Sequence, residues 1–98
     1  MTDSSPLEVR QNAEAQRFEI DLGDGASAFV EYMIAGNNII FTHTEVPVEF
    51  EGQGIGSRLA RYVLDYARTN GYRVQALCPF ISAYVERHPE YQSITWGY

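Results

Sequence analysis

The 98-residue sequence lacks lysine altogether, contains a single cysteine and has no long apolar run. Without lysine, it cannot supply the Gly-x-x-x-x-Gly-Lys pattern of P-loops that bind nucleoside triphosphates. One cysteine cannot form an internal disulfide, which suits a reducing compartment. No apolar run approaches the ~18 residues of a membrane-spanning helix, and the polar, acidic N-terminus is unlike a signal peptide. The sequence therefore predicts a cytoplasmic protein that does not enter a membrane.

Cations are scarce overall, since seven arginines face 13 Asp and Glu residues and the net charge is −6. Because binding to nucleic acid depends on clustered Lys and Arg, this balance argues against a nucleic-acid partner. The apolar fraction of 45% and the aromatic fraction of 13% are typical of a folded chain. We expect a disordered segment over residues 1–6 and one domain over residues 7–98, acting as a monomer or a weak dimer.

The first half of the chain alternates apolar and polar residues with the period of two that is typical of β-strands. In one of these segments, Ala28, Val30 and Tyr32 fall on one face, with Phe29 and Met33 on the other. Glycine and asparagine separate the segments, as in tight turns between antiparallel strands. The pattern predicts an antiparallel meander of about four strands, at residues 7–11, 18–22, 26–34 and 39–44.

The second half predicts a helix over residues 55–69, because its apolar period matches an amphipathic helix packed on a sheet. Residues 72–77 should form a strand parallel to the previous one, since a helix joins the two. A short helix follows over 80–87, and residues 91–98 form a last strand or dock loosely. The fold class is α+β. The residues predicted to face inward are Leu59, Tyr62, Val63, Tyr66 and Ala67, widened by Ala60 and Leu64, and in the short helix Phe80, Ile81, Tyr84 and Val85.

A glycine-rich stretch, Phe50-Glu51-Gly52-Gln53-Gly54-Ile55-Gly56-Ser57, joins the two halves. Glycine adopts backbone conformations that other residues resist, and it lets a ligand approach the main chain closely. The first N–H groups of the following helix have no intrahelical partner, so they can hold an anion, most often phosphate. A glycine turn with an ordinary N-cap explains the stretch equally well. A dinucleotide-binding turn does not, because Leu59 takes the third glycine position.

This arrangement resembles the GNAT superfamily of acyl-CoA-dependent N-acyltransferases. The resemblance spans residues 7–91 and rests on Val46-Pro47 and the glycine-rich loop, set between an antiparallel meander and a helix–strand pair. Glu51 departs from the family pattern, where Gln or Arg is usual. A compact GNAT-like subgroup, which lacks the N-terminal helices around the acceptor site of larger relatives, is more similar still. The shared segments are Thr42-His43-Thr44-x-Val46-Pro47, Cys78-Pro79-Phe80 and Tyr84 through His88-Pro89-x-Tyr91.

The resemblance implies an N-acyltransferase that uses acetyl-CoA as co-substrate, an unidentified amine as acceptor and no metal. The pantetheine arm would lie between the strand ending at Val46 and the strand ending at Leu77, with the acyl group near Cys78. Tyr84 would protonate the departing thiolate. His43 is a candidate base, because imidazole accepts protons near neutral pH. The residues implied to hold the co-substrate are Val46, Glu51, Gly52, Gln53, Gly54, Ile55, Gly56, Ser57 and Arg58.

Each candidate catalytic residue also has a plainer interpretation. Cys78 can be a small buried residue, Tyr84 lies on the apolar face of a predicted helix, and His43 can be structural. A Cys–His hydrolase built from Cys78 with His43 or His88 is a further alternative, whereas the spacing of these residues does not predict a metal site. Three functions stay open: the acetyl-CoA-dependent transferase, a CoA-binding module without efficient transfer, and an interaction domain that kept the fold.

Overall fold

The computed structural model describes residues 8–98. The predicted disordered segment 1–6, and Leu7 of the first predicted strand, lie outside the described residues. A five-stranded sheet follows the order of the chain, with four antiparallel strands and a fifth that is parallel to the fourth. The strands are β1 (Val9–Asn12), β2 (Arg17–Gly23), β3 (Ala26–Ala35), β4 (Asn38–Glu45) and β5 (Arg73–Ala76), with helices α1 (Ile55–Thr69) and α2 (Pro79–Arg87). The predicted meander, crossover helix, parallel strand and short helix are confirmed.

One face of the sheet forms the core, because alternate residues of each strand point to the same side. Phe18 lies opposite Val30 and Ile20 lies opposite Ala28 in the β2–β3 ladder, and all four are completely buried. Tyr32 continues this row and is also buried. The face predicted for the third strand is therefore confirmed.

Helix α1 covers this apolar face of the sheet and has the bounds that the sequence predicts. Its inward face is rotated from the prediction: Ala60 and Leu64, predicted at one border of the face, have no exposure, whereas Tyr62 is 42% exposed. The prediction for Tyr62 was wrong because a tyrosine at the border of an apolar stripe can pack its ring and leave its hydroxyl in water. The Tyr62 ring lies at the edge of the core, 5.9 Å from the ring of Phe18.

Helix α2 begins at Pro79, one residue earlier than predicted, at a position where a missing N–H costs no hydrogen bond. Ile81, Tyr84 and Val85 are buried as predicted, but Phe80 is 38% exposed. The prediction for Phe80 was wrong because its ring lies against the start of α1 rather than in the core.

The C-terminal segment is short 3₁₀ structure rather than a sixth strand. A 3₁₀ helix covers Pro89–Ile94, and a second one covers Val48–Phe50 before the glycine-rich loop. A single parallel bridge joins Thr95 to Val74, and the main-chain N–H of Trp96 donates to the Val74 carbonyl at 2.9 Å. Within residues 8–98, no helix is long and apolar enough to span a membrane.

Tyr91 fastens the C-terminal segment to α1. Its hydroxyl donates to the Asp65 carboxylate at 2.7 Å, and its side chain is 4% exposed. Burial first, and then the hydrogen bond to Asp65, raise the pKa of Tyr91 from 10.0 to about 12. In the unfolded chain this phenol would ionise near its ordinary pKa. The stabilisation that it contributes should therefore be complete below about pH 10 and be lost as the pH rises toward 12.

We expect Tyr91→Phe to lower the free energy of unfolding by about 1 kcal/mol at pH 8, through loss of the hydrogen bond. The difference between wild type and variant should shrink above pH 10, because phenylalanine cannot ionise in either state. Urea melts at pH 8, 10 and 11 measure this difference, and the other tyrosines are the same in both proteins. A difference that stays constant to pH 11 would contradict the raised pKa.

Candidate functional site

The strands β4 and β5 pair over only half the length of β4. Their ladder runs from Asn38 opposite Arg73 to Phe41 opposite Ala76. The N–H groups of Leu77 and Cys78 both donate to the Phe41 carbonyl, at 3.1 and 3.0 Å, and the chain then turns into α2. β4 continues to Glu45, so within the described residues its last four positions have no strand beside them on this side. The strand predicted to end at Leu77 therefore stops at Ala76, and an open strand edge remains.

A cleft of about 630 Å³ lies between this strand edge, the glycine-rich loop and the start of α2. Its inner surface includes Val46 and Phe50, which pack on the core. The lining residues are His43, Thr44 and Glu45 from the end of β4, Val46 directly after it, Phe50, Glu51, Gly52 and Gly54 from the loop, Ile55, Gly56 and Ser57 from α1, and Phe80 from α2. Most residues predicted to bind the co-substrate therefore lie around one cleft.

The glycine-rich loop presents main-chain N–H groups at the start of α1. Gly52 and Gly54 have φ angles of 83° and 78°, in the left-handed region that favours glycine. Gly54 is the N-cap and gives no side-chain capping bond. The first intrahelical bond is the one from the Arg58 N–H to the Gly54 carbonyl at 3.0 Å, so the N–H groups before it are available. Such a helix start can accept an oxyanion such as phosphate.

A second cavity lies on the other side of the same loop. It has a volume of about 990 Å³ and shares Gly54 and Ser57 with the cleft. Gln53, Arg58 and Arg61 line this cavity and do not line the cleft. Among residues 8–98, the ion pairs are Arg17–Glu19 and His43–Glu45, so neither Arg58 nor Arg61 has an acidic partner there.

His43 and Glu45 form a polar pair at the rim of the cleft. The imidazole Nε2 lies 3.1 Å from the Glu45 Oε1, and both side chains are more than half exposed. A carboxylate in this position can orient the imidazole through this hydrogen bond. Glu45 was not among the predicted site residues, although the period of two along a strand puts residues 43 and 45 on one face.

Cys78 lies behind the cleft rather than on its surface. The residue is 2% exposed, and its sulfur lies 3.1 Å from the Thr44 hydroxyl oxygen. Within residues 8–98, neither histidine forms a hydrogen bond with this thiol: His43 pairs with Glu45, and His88 Nδ1 lies 2.8 Å from the Tyr84 carbonyl oxygen. The hydrogen bonds of the described residues therefore give no support to the Cys–His hydrolase alternative.

We expect the Cys78 thiol to react with a disulfide reagent at least about 100-fold more slowly in native than in unfolded protein. The reason is that modification of a buried thiol requires local opening. Because the chain has one cysteine, absorbance of the released thiolate follows Cys78 alone, and the reaction in guanidinium provides the reference rate. Equally fast labelling in both states would contradict the burial of this thiol.

Tyr84 faces the second cavity. It lines that cavity and not the cleft, and its ring stacks on His88 with 3.8 Å between centroids. Burial raises the pKa of its hydroxyl, which keeps the phenol protonated. The three predicted catalytic residues are thus separated: His43 lines the cleft, Cys78 lies behind it and Tyr84 lines its neighbour. The distances between them could not be predicted from the sequence.

The sequence and the fold match known proteins. The family profile described as GCN5-related N-acetyl-transferase matches residues 17–94. Protein NATD1 of Xenopus tropicalis is 29% identical over 92 residues, which cover 91% of this chain and 84% of the relative. Protein NATD1 of Gallus gallus is 30% identical over 86 residues, which cover 86% of this chain and 78% of the relative.

A solved structure has the same architecture. The NMR solution structure of a GCN5-like protein from Staphylococcus aureus matches with a TM-score of 0.76 and 31% identity, over 97% of this chain and 93% of that chain. The GNAT-like fold predicted from the sequence is confirmed. This chain belongs to the GCN5-related N-acetyltransferase family.

Proposed function

We propose that this protein binds acetyl-CoA in the cleft and transfers the acetyl group to an amine. The observation that carries the proposal is the open edge of β4, which faces the N–H groups of the glycine-rich loop across one cleft. An extended amide-containing arm can bond to a free strand edge, and a pyrophosphate suits the helix start. Acetyl-CoA contains both groups and supplies an activated thioester.

Different residues of the cleft would contact different parts of such a molecule. Gly52, Gly54 and Ser57 would hold the phosphates, because the loop offers N–H groups with no side chain in front of them. Val46 and Phe50 would contact the apolar part of the arm. Glu51 lines the cleft as an exposed carboxylate, so it must turn away from a bound phosphate.

His43 is the residue that we propose to accept a proton from the attacking amine. It reaches the cleft with its imidazole held by Glu45, and a base in the cleft keeps the amine nucleophilic. The carboxylates of Glu45 and Glu51 on the rim, with the net charge of −6, favour a cationic amine as the acceptor. Since Cys78 is buried as a free thiol, we propose direct transfer without a covalent enzyme intermediate, in a cytoplasmic protein.

A second candidate function is CoA binding without efficient transfer. The location of Tyr84 favours it, since the proton donor implied by the resemblance lines the neighbouring cavity. Under this candidate, acetyl-CoA binds in the same cleft, but the protein releases little free CoA with any amine.

Two measurements test these proposals. Calorimetric titration with acetyl-CoA, combined with amide chemical-shift mapping, should show binding with the largest shifts in the loop and at the end of β4. Release of free CoA with a panel of amines should then reveal turnover, and His43→Gln should lose most of it while keeping the affinity for acetyl-CoA. Binding without turnover would select the second candidate. Absence of binding at millimolar acetyl-CoA would overturn both and leave an interaction domain.

A further inference from the structure

Both helices pack on one face of the sheet, and the opposite face carries neither of them. Among residues 8–98, the buried side chains of α1 and α2 join those of the strands in a single core cluster. Met33 of β3, Ile40 of β4 and Gln75 of β5 form one row across the ladder. These three point away from the core, because Ile39 and Val74 beside them are completely buried in it. We call this surface the open face.

The open face presents apolar side chains to solvent. Met33 is 50% exposed, and Ile40 beside it is half-buried. Trp96 is 57% exposed and lies at the end of β4 away from the cleft, where its indole N–H donates to the Asn38 side chain at 2.8 Å. The Arg73 Cζ lies 4.6 Å from the centroid of its ring. Neighbouring exposed apolar side chains of this kind often form an interaction surface.

The candidate base lies on the same face. In the β3–β4 ladder, His43 lies opposite Glu31. Glu45 lies opposite Phe29 in the same ladder. Val30, between Phe29 and Glu31, is completely buried, so all four of these side chains point to the open face. Since His43 and Glu45 also line the cleft, an amine on the open face at His43 would be beside a thioester bound in the cleft.

Carboxylates surround His43 on the open face. Glu45 pairs with the imidazole at 3.1 Å, and Glu31 lies opposite it. Arg17 lies opposite Glu31 in the β2–β3 ladder, but its guanidinium pairs with Glu19 at 2.9 Å. Among residues 8–98, Glu31 itself forms no ion pair. This end of the open face therefore suits a cationic partner.

We propose that the acceptor is a lysine of a basic polypeptide segment, which lies extended on the open face with its lysine at His43 and an apolar side chain on Met33 and Ile40. This inference rests on the proposed function, since it names the amine that receives the acetyl group. Small ligands bind in pockets that cover most of their surface, whereas His43 and Glu45 are both more than half exposed. A polypeptide gains contacts across the open face that a small amine does not reach.

The spacing of residues on β3 predicts a feature of such a segment. Glu31 and Met33 are two residues apart on one strand, a distance of about 7 Å. An extended segment also places every second side chain on the same side. The apolar residue should therefore lie two positions from the lysine, with cationic residues elsewhere in the segment.

The transfer to such a lysine is an ordinary aminolysis of the thioester. The lysine reacts as the neutral amine, after its ammonium group has lost a proton to water. Its Nζ forms a bond to the thioester carbonyl carbon, the carbon–sulfur bond breaks, and the nitrogen gives one proton to His43. CoA leaves as the thiolate, which takes a proton from water.

The test uses peptides of about ten residues, which span the length of β4 at about 3.3 Å per residue. Each peptide is N-acetylated and amidated, contains arginines, and has a single lysine as its only amine. One peptide has leucine two positions from the lysine, and a second has serine in place of that leucine. Nα-acetyl-lysine amide supplies the same amine without a chain. In wild type, kcat/KM for CoA release should be at least about tenfold higher for the leucine peptide than for the small amine.

Variants of the open face test where the peptide binds. Met33→Thr keeps a residue that favours strands and should lower the advantage of the leucine peptide over the serine peptide by about threefold. Ile34→Thr is the matched control, because Ile34 lies opposite the buried Ile39 and so on the helix side of the sheet. Glu31→Gln should lower the advantage of both peptides over the small amine by about threefold at low salt. Glu86→Gln, at an exposed position of α2, should leave it unchanged.

A binding measurement separates docking from turnover. The leucine peptide with its lysine already acetylated should shift the amide signals of Met33, Ile40 and Gln75, and shifts confined to other residues would overturn the inference. If wild type uses the small amine as well as the leucine peptide, or if folded Met33→Thr and Glu31→Gln proteins keep the wild-type preferences, the inference is wrong while the proposed function stands. If acetyl-CoA binds but no amine releases CoA, the proposed transfer fails and this inference fails with it.

Discussion

Replacement of Gly54 by valine should abolish measurable binding of acetyl-CoA, a loss of at least about 100-fold or 2.7 kcal/mol. Gly54 has a φ angle of 78° at the N-cap of α1 and borders both the cleft and the second cavity. A valine side chain would stand in front of the N–H groups that we propose to hold the phosphates. It would also strain the loop, because a left-handed conformation costs an L-residue about 1–2 kcal/mol.

The strain and the blocked site can be separated with a matched glycine. Gly36 in the turn between β3 and β4 has a φ angle of 62° and, among residues 8–98, nothing within 4 Å of an added Cβ. It precedes β4, whereas the cleft lies at the other end of that strand. Gly36→Val should therefore show similar strain in urea melts with unchanged affinity for acetyl-CoA. A folded Gly54→Val protein with full affinity would locate the binding site elsewhere.

Leu59→Ala should lower the free energy of unfolding by about 2–5 kcal/mol, through lost burial and the cavity left behind. Leu59 has no exposed surface and lies on the inward face of α1. The loss is a large share of the about 5–15 kcal/mol that stabilises a domain. Arg61→Ala, two residues along the same helix at an exposed position, should cost under about 0.5 kcal/mol. Urea melts of the two variants provide the comparison.

Tyr62→Ala extends this test to the corrected orientation of α1. Because Tyr62 is 42% exposed and Leu64 is completely buried, Tyr62→Ala should cost clearly less than Leu64→Ala. Equal losses in the free energy of unfolding at these two positions would instead support the inward face predicted from the sequence. Equal losses at Leu59 and Arg61 would show that both orientations are wrong.

The elements with a strong local pattern could be predicted from the sequence. The bounds of α1 follow from Gly54 before it and Asn70-Gly71 after it, because these residues suit helix ends. The face of β3 follows from strict alternation. The exact rotation of α1 could not be predicted in this way, since a tyrosine at the border of the apolar face can be either buried or exposed. The local sequence pattern thus predicts where an element begins and ends. It predicts less well whether residues at the border of the apolar face are buried.

The site was predictable in its parts but not in its geometry. The glycine-rich loop and His43 line the same cleft. The sequence suggests this proximity, because His43 lies on the strand that precedes the loop. Tyr84 and Cys78 do not face that cleft, because their orientation depends on how α2 packs against α1, a long-range contact. Phe80 looked like a core residue for the same reason: its apolar side chain carries no sign that its neighbour would be Gly56.

The strand order has a consequence for how the protein folds. Each of the first four strands pairs with its neighbour in the chain, and such short loop closures favour rapid folding. The exception is the joint between β4 and β5, since Glu45 ends one strand and Arg73 begins the other. The meander can thus assemble before the crossover closes. A ligand in the cleft would touch β4, α1 and α2 only after closure, so it should slow unfolding and leave the folding rate nearly unchanged.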